Sequence, residues 1–135
     1  METFLYFMET SSSPFDARAD MVCYPLSKLK GFLNVDSTTI EMHFEPLLVV
    51  ADSNDTSVIE DKVALTLVTA DTHKDAVSEI IKAIKYGTRT VASNDATVDV
   101  VTAVERDMIV IADDMNSKYA TSKINACTIT VTNEG

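Results

Sequence analysis

Between Thr38 and Glu45, apolar and polar residues alternate without a break. Ile40, Met42 and Phe44 fall on one side, and Glu41, His43 and Glu45 on the other. A two-residue period segregates side chains only in an extended strand, and one dry face opposite one wet face is the mark of an antiparallel sheet. Pro46 follows and, lacking an N–H, stops the ladder. A second run, Lys62 to Thr69, points Val63, Leu65 and Leu67 inward with Ala64, Thr66 and Val68 opposite. Its near-continuous apolarity predicts a central strand buried on both faces.

Shorter segments read the same way. Phe4 to Met8, Met108 to Ala112 and Cys127 to Thr132 are expected strands. Met21 to Leu26 is another, and Pro25 marks it as an edge strand or the site of a bulge. Thr88 to Val104 is β-rich, with a hairpin tip expected at Ser93-Asn94-Asp95. Lys28-Leu29-Lys30-Gly31 is a candidate turn in which Gly31 can take positive φ.

One segment breaks the pattern. Val77, Ile80, Ile81 and Ile84 recur at helical spacing, so Thr72 to Tyr86 is expected to be an amphipathic helix with these four as its apolar stripe. Thr72 is the candidate N-cap, Asp75 completes a shortened capping box, Lys82 and Lys85 suit the helix's negative end, and Gly87 stands at C′. The expectation is an α+β fold in one domain over residues 1–135. Its core is a mostly antiparallel sheet of about six to eight strands, with the helix of residues 72–86 packed on it.

Glycine is scarce, at three residues: Gly31, Gly87 and Gly135. No G-x-G can be written, which excludes the dinucleotide fingerprint, the P-loop and the nucleophile elbow together. Lys and Arg number 11 against 21 Asp and Glu, a net charge of −10. That balance repels phosphate backbones, so no nucleic-acid partner is expected. No apolar stretch approaches the ~20 residues of a membrane span, and the acids at Glu2 and Glu9 do not suit a signal peptide, so synthesis in a cytosol and no membrane partner are expected. Cys23 and Cys127 lie far apart among alternating apolar residues and match no metal or redox spacing; they read as buried free thiols, a Cys23–Cys127 disulfide being the alternative.

Three constellations carry potential chemistry. Glu41, His43 and Glu45 stand at alternate positions about 6.6 Å apart, close enough for two metal ligands on one strand. A solvated strand face explains them equally well, and no second cluster supplies further ligands. His73 falls in the first helical turn, where the dipole keeps imidazole neutral, as a catalytic base requires. No nucleophile motif accompanies it, and exposed polar residues are common in first turns. Asp113-Asp114 follows a strand directly, and with Asp52, Asn54 and Asp55 offers hard oxygen ligands for calcium. Turn chemistry is the better account of these acids. No metal and no cofactor is therefore expected. The acidic surface is read chiefly as a source of solubility, with mimicry of nucleic acid in a partner's basic groove as the alternative.

Four stretches in this order resemble a known group: Met21-Val22-Cys23-Tyr24-Pro25-Leu26-Ser27-Lys28-Leu29-Lys30-Gly31; Thr38 to Pro46; Asp61 to Ala83; and Met108 to Val131 with Tyr119 and Cys127. The pattern resembles small acidic proteins encoded beside capsid genes in tailed phages of marine cyanobacteria and related bacteria. The resemblance implies a non-enzymatic virion structural protein, a decoration or cement subunit on the capsid surface, with itself and the major capsid protein as partners. It brings no site residues. The rival readings are an acidic phage-encoded inhibitor and a small enzyme using His43, His73 and Asp113. Phe4, Leu5, Tyr6 and Phe7 stand in a row that one sheet face cannot hide, so residues 1–13 are read as a docking arm and these four as interface residues, on the domain's own sheet or across a subunit boundary.

Overall fold

Alternating segments can satisfy their backbone groups only by pairing, and ten strands do so among the described residues. They are β1 Phe4–Met8, β2 Met21–Pro25, β3 Leu29–Asp36, β4 Thr39–Phe44, β5 Asp61–Leu67, β6 Thr88–Val91, β7 Val101–Glu105, β8 Met108–Asp113, β9 Lys118–Tyr119 and β10 Ile124–Thr130. One helix, α1 His73–Tyr86, lies between β5 and β6. The structure, a computed structural model, describes residues 2–9, 17–47, 60–91, 101–105 and 107–131. Asp52, Asn54 and Asp55, the hairpin tip Ser93-Asn94-Asp95 and residues 1 and 10–13 of the expected arm lie outside these.

The fold is α+β. Eight of the strands form two four-stranded sheets, ordered β2-β1-β8-β9 and β10-β5-β4-β3, while β6 and β7 pair antiparallel as a separate ribbon. All pairings are antiparallel except β1 with β8, which run parallel with Leu5 opposite Ile109. The inner faces meet in one core that joins Leu5, Phe7 and Ile109 of the first sheet to Met42, Val63 and Leu65 of the second. As expected, β2 is an edge strand ending at Pro25, Ile40, Met42 and Phe44 are buried, and β5 is central. The outer side of β5 is more open than its apolarity suggested, since Thr66 is exposed.

At the centre of the core Tyr24 stacks on Phe44 with centroids 4.2 Å apart, and Phe7 meets both rings edge-on. The Tyr24 hydroxyl donates to Asp61 Oδ2 at 2.7 Å, with both residues fully buried. A bond from β2 to β5 thus ties one sheet to the other. Tyr24→Phe removes a donor from a buried carboxylate and should cost about 1–3 kcal/mol. Burial, together with the bond and charge of Asp61, holds the Tyr24 phenol far above its ordinary range. The unfolded chain releases this proton near pH 10 while the folded chain keeps it. The phenol's contribution is therefore complete below about pH 10 and is lost as pH rises further. Urea titrations from neutral to strongly alkaline pH should show wild type losing stability more steeply than Tyr24→Phe.

Two expectations are corrected. The residues of the expected arm form β1, an interior strand flanked by β2 and β8, and Leu5 and Phe7 are fully buried. The four consecutive apolar residues are accommodated because β1 has the core on one side and a half-covered face on the other. Phe4 and Tyr6 are on that second side, with Phe4 42% exposed. The docking is onto the domain's own sheet, so Leu5 and Phe7 are not available to a partner.

The helical stripe is also rotated. Ala76, Ile80 and Ala83 are the buried residues, Val77 and Ile84 flank them, and Ile81 is 47% exposed. Each residue turns a helix by about 100°, so Ile80 and Ile81 cannot both face the core squarely. The two alanines win because small side chains let the helix approach closely. Thr72 occupies the N-cap position, but its hydroxyl donates to Thr69 O at 2.8 Å rather than capping the first turn. The C-terminal expectation holds: the N–H of Gly87, at φ +83°, donates to Ala83 O at 2.8 Å. Glu79 accepts the Thr121 hydroxyl at 2.9 Å and joins the helix to the chain before β10.

Candidate functional site

A strand at the edge of a sheet presents unpaired N–H and C=O groups, which proteins either cover or use. The second sheet treats its two edges differently. On β10, the N–H of Cys127 donates to Asp114 Oδ2 at 3.3 Å, and that of Ile129 to Glu9 Oε2 at 3.4 Å. The Cys127 thiol donates to Met8 O at 3.4 Å. Side chains and backbone from the ends of β1 and β8 thus cover this edge. Burial and the carboxylates of Asp114, Glu9 and Asp113 push the Cys127 thiol up to about 12, which leaves it protonated and unreactive at neutral pH. Both cysteines are free; Cys127 is buried as expected, whereas Cys23 is only half-buried.

Among the described residues the opposite edge, β3, is open: no strand pairs with its outer side, Leu33 is 59% exposed and Val35 is 49% exposed. Its ends are held firmly. Asp36 O accepts from His73 Nε2 at 2.7 Å, which fixes the Nε2–H tautomer, because a carbonyl cannot donate. Asp36 Oδ1 accepts from both the N–H and the hydroxyl of Thr38, and these bonds lower its pKa. At the other end Lys28 O accepts from the Glu45 N–H at 2.9 Å, and Lys28 Nζ meets Glu45 Oε2 at 3.2 Å.

The wet face beside this edge carries a chain of ionisable side chains. Lys30 meets Glu60 at 3.0 Å, Glu60 meets His43 Nδ1 at 3.6 Å, His43 Nε2 meets Glu41 at 3.1 Å, and Glu41 meets Lys62 at 3.6 Å. The Lys30 bond holds the Glu60 carboxyl below its usual range. Phe32, Leu33 and Asn34 of β3 and Ile40 of β4 line a shallow groove of about 300 Å³ with His73 and Val77 of α1.

Two bulges shape the strand, one between Leu29 and Gly31 and one between Asn34 and Asp36. The first uses Gly31 at φ +156°, so this glycine serves a bulge inside a strand where a turn was expected. The turn itself lies just before, as a single 3₁₀ turn over Leu26–Lys28.

The residues weighed for chemistry are placed apart. Glu45 turns to Lys28 while Glu41 turns to His43, so the three alternate residues on β4 do not converge as a ligand set. His73 is engaged by Asp36 O. Asp113 accepts the N–H groups of Met115 and Asn116 and the Asn116 side-chain amide, and Asp114 accepts the Tyr119 hydroxyl at 2.8 Å. Both aspartates thus do the turn chemistry expected of them. No hydrogen bond or ion pair links His43, His73 and Asp113 to one another, and among the described residues no group of three or more His, Cys, Asp or Glu is arranged to hold a metal ion. No helix among them is long and apolar enough to cross a membrane.

The open edge was not read from the sequence. Its bulges interrupt the two-residue period, so Leu29 to Asp36 shows no alternation; the signal that remained was Leu33-x-Val35 beside Gly31. Comparison of the chain with family models, with curated proteins and with solved structures returned no match.

Proposed function

We propose that this chain is a non-enzymatic structural subunit acting through protein–protein contacts: a decoration or cement protein of a tailed-phage capsid, partnered by itself and by the major capsid protein. One observation carries the contact reading. Acidic side chains cover the β10 edge, whereas β3 leaves Leu33 and Val35 in solvent on a strand anchored at both ends. A pre-ordered edge binds another chain without first paying the entropy of ordering itself. The capsid assignment rests on the resemblance of the four stretches, and the net charge of −10 suits a surface that must not adhere to packaged DNA. The separate engagements of His43, His73 and Asp113 favour this reading over the enzymatic one.

Mass spectrometry of purified virions tests the proposal. The chain is expected in many copies per particle, and a folded Leu33→Asp variant is expected to be depleted from particles. A chain absent from virions, or a Leu33→Asp variant incorporated like wild type, would overturn it.

A further inference from the structure

The β3 edge has a property that selects its occupant. Lys30 and Asp36 each stand three residues from Leu33, an odd spacing that in a regular strand would send them to the face opposite Leu33. The two bulges reverse this. Leu33 pairs with Glu41 and Asp36 pairs with Thr39, both on the wet side of β4, and Lys30 reaches Glu60 on that same side. The bulges on either side of the run 31–34, with the Lys30–Glu60 contact, therefore bring a cation, an apolar residue and an anion onto one face, each charge three residues in sequence from Leu33.

Such a triplet complements itself. If a second β3 lies antiparallel about a two-fold axis through Leu33, then Leu33 meets Leu33, Asn34 meets Phe32, Val35 meets Gly31 and Asp36 meets Lys30. In each half of the seam the Asn34–Asp36 bulge of one copy faces the Leu29–Gly31 bulge of the other, offset by one residue, a step that the long Lys30 side chain spans. Gly31 has room for the facing Val35, since a Cβ there would meet nothing within 4 Å. The Lys30 side chain is 49% exposed and has three donors, so it can keep Glu60 and still bond a second carboxylate. Asp36 remains ionised for the pairing because Thr38 donates to it twice.

We propose that the open edge binds a second copy of this chain, β3 to β3 in antiparallel register about Leu33, with Lys30 of each copy opposite Asp36 of the other. The two second sheets then form one continuous eight-stranded sheet. This inference rests on the contact reading above and names the partner at that edge.

Light scattering coupled to size exclusion on the full chain is expected to give a dimer at high micromolar concentration that weakens as salt is added. Lys30→Asp and Asp36→Lys each place like charges opposite one another twice, and each should weaken the dimer by about tenfold or more. Mixing the two variants should restore it, because every facing pair is then one acid and one base. The two introduced residues meet at one end, and the native Asp36 and Lys30 meet at the other. Melting curves identify any variant that fails to fold. Should Asp36→Lys do so, Leu33→Cys in a Cys23→Ser background replaces it, and oxidation should link two copies at the axis. A monomeric wild type, single variants that dimerise normally, a mixture that stays monomeric, or no cross-link at position 33 would each overturn the proposal. A chain that is monomeric yet incorporated into virions would sink this inference alone, whereas a dimer missing from virions would sink only the capsid reading.

Discussion

Deleting residues 1–8 is expected to leave the chain unfolded rather than merely less associated. Circular dichroism and a thermal melt should show no cooperative transition. β1 sits between β2 and β8, so its removal strips a backbone partner from each and takes Leu5 and Phe7 out of the core. Point changes grade the effect. Phe7→Ala empties a fully buried ring site against Tyr24 and Phe44 and should cost about 3–5 kcal/mol, a large part of the ~5–15 kcal/mol that holds a typical domain together. Phe4→Ala, at the exposed end of the same strand, should cost much less. A truncated chain that melted cooperatively would mean that β2 and β8 can close without β1.

The second large effect separates two neighbours on α1. Ile80→Asp places a carboxylate in a fully buried site and should destabilise by more than about 4 kcal/mol, enough to prevent folding. Ile81→Asp changes an exposed residue and should move the melting temperature little, with an expected cost within about 1 kcal/mol, mostly from lost helix propensity. The pair is informative because composition and spacing treat the two isoleucines alike. Equal melting temperatures for the two variants would show that the helix does not pack by its Ala76–Ile80–Ala83 side.

The pair also shows where local sequence stops being informative. Alternation identified β4 and β5 and their buried faces, because a period of two has only one structural solution. It could not show that Phe4 to Met8 is interior, since that depends on β8, a hundred residues away, coming to lie parallel beside it. It could not choose between Ile80 and Ile81 either. That choice is made by which side carries the small residues that let helix and sheets approach, and Ala76 and Ala83 do not stand out in a hydrophobic pattern. At the β3 edge the failure was sharper. Bulges erase the period that marks a strand, so β3, the strand that our reading makes functional, had no legible pattern. Candidate groups chosen by residue type, His43, His73 and Asp113, were legible as residues but not as partners, because their neighbours come from distant segments.

The parallel pairing of β1 with β8 has a consequence during synthesis. When the ribosome has made the first thirty residues, β1 can pair with β2, but its other side must wait for Met108–Asp113 to emerge. The bonds from Cys127 to Met8 and from Ile129 to Glu9 come later still, bridging 119 and 120 positions. A nascent chain therefore carries an unfinished sheet until β8 and β10 have emerged. Once β10 is present the sheets should close on the millisecond-to-second timescale of non-local β topologies, with little structure secured before it.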